Sequence, residues 1–294
     1  MGMNAFTIKD LENLSGIKAH TIRIWEQRYS FLNPQRTETN IRYYTGDELK
    51  TVLNIALLNK YGFKISHIDK MSIAEMREKT LALNQAQAQI ERMVNELISC
   101  MVDMKLEDFE MLLDGYIKAK GIEKTIPQII FPFLERIGIL WITNHINPAQ
   151  EHLVTNIIRQ KLIMGIETCH APLVQKKTVV VFLPEGEHHE LGLLFTYYLF
   201  KSRGIKVIYL GANVPLKDVE YVATLKKPDF LYSHITSVAN NFNFEKFLVN
   251  VQNRIPEFQV IVSGALTQNY KKRIPTNVSF KKSLTEVMDY ISTL

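Results

Sequence analysis

From Lys176 to the end of the chain, short apolar runs of strand type alternate with helical segments, and no other feature narrows the fold as far. The runs are "KTVVVFL", "KVIYL", "DFLYSHI", "FQVIVSG" and "VSFKK". Each intervening stretch is long enough for a crossover helix, so the pattern predicts βαβ units, a parallel sheet and a doubly wound α/β domain. In such sheets ligands sit beyond the carboxyl ends of the strands. Four polar or small-residue turns fall there: Glu187 to Gly192, Gly211 to Pro215, Ser233 to Ser237, and Ser263-Gly264-Ala265. Their convergence on one edge predicts a pocket.

Upstream the period changes twice. From about Glu75 to Cys169 the pattern is helical, with segments Asn84 to Val102, Leu106 to Lys118, Ile122 to Trp141 and Pro148 to Glu167 separated by short breaks. Four helices on short connections predict a bundle. Before it, "FTIKDLENLSGIKAHTIRIWEQRY" places Ile8, Leu11 and Leu14 at helical spacing, breaks at Ser15-Gly16 and restarts through Ile22 and Trp25. Two short helices about a glycine turn are the sequence form of a helix-turn-helix. "FLNPQRTETNIRYYT" follows, with turn formers between strand-prone residues, and predicts a hairpin or wing. The expected organisation is a winged helix-turn-helix over 1–75, a four-helix bundle over 76–172 and a doubly wound parallel α/β domain over 173–294.

Composition removes several classes. With 294 residues and 46% hydrophobic content the chain can bury real cores. Its two cysteines and the lack of a secretory leader point to a reducing cytoplasm. The most apolar long window, Ile126 to Ile142, is interrupted by Pro132, Glu135 and Arg136 and is too polar for a membrane span of about 20 residues. A net charge of +5 is mild, but five basic residues lie between Lys18 and Arg42 against two acidic ones, with Trp25, Tyr29, Tyr43 and Tyr44 interleaved. That distribution predicts a phosphate-facing surface.

The cluster Glu187-His188-His189-Glu190 admits a metal site, an acid/base pair, a cofactor ligand or a polar loop. A helical zinc hydrolase needs two His four residues apart on one face, and His188 and His189 are adjacent. A corrinoid enzyme would need a substrate barrel of about 250 residues, for which no room exists.

The first 75 residues resemble the DNA-binding domain of the MerR family, through Thr7-Ile8, Leu11, Ser15-Gly16-Ile17, Thr21-Ile22-Arg23, Trp25-Glu26, Arg28, Pro34, Arg36, Arg42-Tyr43-Tyr44, Asp47-Glu48-Leu49 and Gly62-Phe63. The resemblance implies a helix around Lys18 to Gln27 in the major groove of promoter DNA, with Arg36, Arg42 and Tyr43 of the wing at phosphates. Lys18, His20, Thr21, Arg23 and Arg28 are the expected contacts from the helix, since basic groups neutralise phosphates while hydroxyls and His20 reach base edges. Trp25 and Tyr44 are expected in the core.

The last 120 residues resemble the cobalamin-binding domain shared by methionine synthase, corrinoid mutases and the CarH/LitR regulators, a flavodoxin-like fold. Its signature is matched by Glu187, His189 and Gly192, then Ser233-His234-Ile235, then Ser263-Gly264, with Glu187 where Asp is commoner and Ser263 in a paired-glycine position. Gly211 and Pro215 match the second βα loop. The resemblance implies that His189 is the lower cobalt ligand and Glu187 its hydrogen-bond partner, while His188 lies on the loop surface. In the helical segment Trp141, nine residues, then Glu151-His152 resemble the cap of the CarH/LitR regulators, where Trp and Glu lie over the upper corrin face. In those photoreceptors a cobalt-binding His follows the Trp; here Ile142 does, leaving His145 or His152 as substitutes.

The expectation is therefore a non-enzymatic, cytoplasmic transcription factor that binds double-stranded promoter DNA and senses adenosylcobalamin or another cobalamin. It would act as a homo-oligomer, dimer or tetramer, without membrane attachment, and the resemblance implies a dark tetramer that represses and releases DNA on photolysis. The alternative is a MerR-like regulator whose cobalamin-type domain no longer binds cofactor and serves protein interaction or oligomerisation.

Overall fold

The computed structural model describes residues 5–142, 146–171, 173, 175–236 and 242–294, without the side chains of Ile139, Trp141 and Ile142. The chain divides into two compact units, 1–157 and 158–294.

The first unit opens with α1 (Ile8–Ser15) and α2 (Ala19–Arg28). Thr7 and Asp10 form a capping box at the start of α1, and Gly16, at φ 75°, ends it in the left-handed region that an L side chain avoids. The hairpin strands β1 (Gln35–Arg36) and β2 (Arg42–Tyr43) pair antiparallel, with Arg36 opposite Arg42. Beyond the hairpin Tyr44 exchanges two 2.8 Å backbone hydrogen bonds with Phe6. A second capping box, Thr45 with Glu48, starts α3 (Gly46–Lys60), followed by α4 (Ile65–Ile68) and α5 (Ile73–Leu81). Phe6, Leu11, Ile22, Trp25 and Tyr44 are buried, so both expected core aromatics lie inside.

The helices α6 (Ala86–Val102), α7 (Leu106–Lys120), α8 (Ile122–Thr125), α9 (Phe131–Ile142) and α10 (Pro148–Thr168) follow. One expected helix, Ile122 to Trp141, contains a π-helical turn at Ile126–Ile130. Pro127 and Pro132 supply no N–H to the α-helical ladder, and a wider turn absorbs the lost donors. The first compact unit continues through residue 75. Trp25, Ile55, Leu58 and Ile68 share one apolar cluster with Met76, Leu83 and Ala88, and α3 packs on α6. The compact division falls within α10, at 157/158.

The second unit holds five parallel strands, β3 (Thr178–Pro184), β4 (Lys206–Val214), β5 (Phe230–His234), β6 (Val260–Ser263) and β7 (Val278–Lys281), ordered β4-β3-β5-β6-β7. The helices are α11 (Leu191–Ser202), α12 (Leu216–Lys226), α13 (Phe244–Arg254), the short α14 (Ala265–Gln268) and α15 (Leu284–Ser292). From β3 the chain goes first to one neighbour, β4, and then to the other, β5. The order reverses at that point, and the crevice beyond the ends of β3 and β5 is where such sheets hold ligands. β4 runs further than "KVIYL" suggests: Gly211 to Val214 were expected in a turn and are strand. The register slips so that Phe182 pairs with Gly211, a bulge that Gly211 accommodates at φ 84°. No described helix is long and apolar enough to cross a membrane.

Candidate functional site

The loop after β3 is built around a buried carboxylate. Glu187 is fully buried, and its Oε1 accepts from the backbone N–H groups of His188 (2.8 Å) and His189 (2.9 Å) and from His189 Nδ1 (2.7 Å). Its Oε2 accepts from the backbone N–H of Thr236, after β5, at 2.9 Å. The loop is also tied to β4: Gly186 N–H donates to Asn213 Oδ1 and Asn213 N–H to the Glu187 carbonyl. One carboxylate thus fastens the ends of the strands that flank the switch point.

This arrangement sets the chemistry of His189. With Nδ1–H donating to Glu187, the neutral ring carries its lone pair on Nε2, and the side chain is 63% exposed. It is an imidazole oriented to ligate. Among the described residues no group of three or more His, Cys, Asp or Glu could hold a metal ion. His188 is exposed.

The next residue, Glu190, receives the Tyr209 hydroxyl at 2.8 Å and the Arg159 guanidinium at 2.9 Å. Burial, then the bond to Glu190, raises the Tyr209 pKa. Gly192, in the first turn of α11, faces His234, whose Cδ2 lies 2.3 Å from where a Cβ would be. Ser233 is buried, and its hydroxyl has no partner among the described residues. Ser263 lends its hydroxyl to Tyr232 (2.6 Å) and His234 Nδ1 (2.7 Å). Gly264, at φ 100°, lies against the Ile235 carbonyl, and Pro215 caps α12. Burial lowers the His234 pKa to about 4, opposed by the charge of Glu187. The network Tyr232–Ser263–His234 and the Arg159–Glu190–Tyr209 group were not foreseen. The interruption of an apolar strand by Tyr232 and His234 was the available signal.

In the helical unit Glu151 and His152 pair with each other at 3.2 Å. The Trp141 and Ile142 side chains and His145 lie outside the described residues.

The helix-hairpin face presents the basic residues. Arg23, Arg28, Arg36 and His20 are exposed. Lys18 pairs with Glu12 at 3.3 Å, Thr21 hydrogen-bonds the His20 ring, Arg36 Nη1 donates to Asn40 Oδ1 at 2.7 Å, and Tyr43 donates to Gln35. Arg42 pairs through Nε with Glu26 of α2 at 3.2 Å.

Residues 6–74 match the family model described as MerR HTH family regulatory protein, and residues 93–164 match the one described as B12 binding domain. The chain thus joins a MerR-type helix-turn-helix segment to a B12-binding segment. The regulator is 26% identical to the HTH-type transcriptional repressor CarH of Myxococcus xanthus over 278 residues, 92% of each chain. It is 25% identical to the repressor CarA of the same organism, over 91% of this chain and 89% of that one. Among solved structures it is similar to the monomethylamine corrinoid protein of Methanosarcina barkeri, with a TM-score of 0.53 and 11% identity, covering 69% of the regulator and 99% of that chain. The last likeness concerns fold alone.

The residues present fit a corrinoid. A single oriented imidazole meets the need of a metal held by a macrocycle, and the unpartnered buried hydroxyl of Ser233, at the end of the strand beside β3, offers a polar atom to an inserted group.

Proposed function

We propose that the regulator represses transcription from promoter DNA in the cytoplasm and senses cobalamin, in its adenosyl form, through the edge of its α/β domain. The observation that carries this reading is the Glu187–His189 pair at the switch point of a chain whose first residues match MerR regulators. His189 would hold the metal through Nε2. Glu187 would fix the tautomer and raise the basicity of the ring. Gly192, Gly211, Pro215, Ser233, Ser263 and Gly264 would line the space for the rest of the cofactor, and Trp141, Glu151 and His152 would contribute from the helical domain. Bound adenosylcobalamin supplies a cobalt–carbon bond that light can break. Lys18, His20, Thr21, Arg23, Arg28, Arg36, Arg42 and Tyr43 would form the DNA face.

Regulation is a population shift. A ligand that binds one assembly state more tightly moves the chain toward that state by its differential affinity. The assembly, a dimer or tetramer, sets the spacing of the DNA-binding heads. Relatives named CarH and CarA are repressors, which supports the sign. Light response is the finer element, because Ile142 stands where a photoproduct ligand is expected.

The experiment is one spectrum. Purified protein incubated with adenosylcobalamin in the dark and desalted retains a visible chromophore, and His189→Ala weakens retention or shifts the bands. Colourless wild-type protein after desalting sinks the cofactor reading and leaves a regulator whose α/β domain serves assembly. Illumination that changes neither oligomer size nor DNA affinity of the coloured protein removes the light element alone.

A further inference from the structure

The DNA face contains one acidic residue that its electrostatics alone would exclude. Glu26 lies on α2, the helix expected in the groove, where a carboxylate is repelled by phosphates. Its side chain is only 9% exposed. One oxygen accepts from the hydroxyl of Tyr44, and the other meets Arg42 Nε at 3.2 Å. Tyr44 is fully buried, and its backbone is paired with Phe6. Burial, then the hydrogen bond to Glu26, holds its hydroxyl protonated well above the usual tyrosine range. Tyr44 is therefore a permanent donor that fixes Glu26 from the core side.

The other side of Glu26 meets the hairpin. Strands of two residues each have little stability of their own. Arg42 has a planar fork of five N–H donors. With Nε 3.2 Å from the Glu26 carboxylate, the ion pair keeps that end of the guanidinium beside α2. Its two Nη groups have no protein partner among the described residues, and the side chain is 37% exposed. An arginine held by one edge presents the other as a ready pair of donors for a phosphate oxygen pair.

We propose that Glu26 is a positioning residue: it locks the hairpin to the recognition helix and aims Arg42 at the DNA backbone without touching DNA itself. The inference rests on the DNA-binding half of the proposed function. It makes a prediction opposite in sign to that of simple charge counting. Removing a negative charge from a DNA face strengthens binding if the charge acts only at a distance. Removing Glu26 weakens binding if it positions Arg42.

The full chain is titrated by fluorescence anisotropy onto a fluorescein-labelled mixed-sequence duplex across a salt series, because phosphate contacts do not depend on sequence. Glu26→Gln is expected to weaken binding by about threefold to tenfold at fixed salt and to flatten the slope of log K against log salt by about 0.9, one phosphate contact. Arg42→Ala gives the same loss, and the double variant is no worse than either, because the two act as one unit. A cooperatively melting Glu26→Gln protein that binds as tightly as wild type, or more tightly, overturns the inference. Where that variant does not melt cooperatively, Arg42→Lys decides the matter, since it keeps the charge but has no Nε edge to hold. Loss of slope supports positioning, and a wild-type slope overturns it. Wild-type protein without salt-dependent binding to the duplex removes the DNA reading, and the inference with it.

Discussion

The two candidate sites are made in opposite ways. At the strand edge the decisive group, Glu187, is wholly buried and accepts four N–H donors from two loops. At the helix-hairpin face the basic side chains stand out in solvent, and most of their protein contacts are local or absent. The first site is part of what the domain must solve in order to fold. The second is a charge distribution carried by a fold that other residues stabilise. Substitutions should therefore register as stability at the first and as salt-dependent affinity at the second.

The largest effect tests the first half of that contrast. Glu187→Ala leaves three backbone N–H donors and the exposed His189 ring without their acceptor, and each buried unmet donor costs about 1–3 kcal/mol before relaxation. Because the four share one loop system and do not add, the expected loss is on the order of 3–5 kcal/mol. Urea denaturation followed by circular dichroism measures it. A loss below about 1 kcal/mol would mean that water or loop movement replaces the carboxylate easily, and the contrast between the sites would collapse.

The same contrast explains what could be read from the sequence. Alternating strand and helix patterns predicted all five parallel strands, whereas the capping boxes of Thr7 with Asp10 and Thr45 with Glu48 emerge only in the structure. The end of β4 was missed because "GANV" has turn composition. It stays in the sheet because Asn213 is held by the Glu187 carbonyl and Gly211 takes the bulge, both tertiary causes. The π-helical turn was missed because periodicity registers side chains, whereas two prolines act on the donor ladder. The absence of a break at residue 75 follows from packing of Met76 and Leu83 against Trp25, which local composition does not encode. The resemblance singled out Glu187 and His189, but nothing in it says that the Ser263 hydroxyl is shared with Tyr232 and His234. That bond depends on two strands meeting in register, His234 opposite Ser263.

His234 supplies an intermediate effect. Burial depresses its pKa to about 4, below the unfolded value near 6.5. The unfolded chain therefore binds more protons between those values, so stability rises with pH there and is lost as pH falls from about 6.5 toward 4. The contribution is about 3 kcal/mol, at the lower end of that expected for Glu187. Melting temperatures across this pH range should show the loss in wild type and a flatter profile in His234→Gln. Identical profiles would mean that the ring is solvated enough to titrate normally, and that the strand edge is less dry than Glu187 suggests.

The smallest effect belongs to the helix-hairpin face and is the sharper for being small. Lys18 is 72% exposed and pairs with Glu12, which also meets Lys9 at 3.4 Å. The hydrogen bond from Lys18 is the main reason that the Glu12 carboxyl titrates below its usual range. Exposed pairs of this kind contribute little to folding, and Lys9 remains beside Glu12 when Lys18 is removed. Lys18→Ala should thus leave the melting temperature unchanged within the error of a thermal scan. The same variant should flatten the salt dependence of DNA binding by about 0.9 if the ammonium leaves Glu12 for a phosphate. A variant that melts earlier and binds DNA with an unaltered slope would place Lys18 among the structural residues, and the division between a folded site and a charged one would no longer follow exposure.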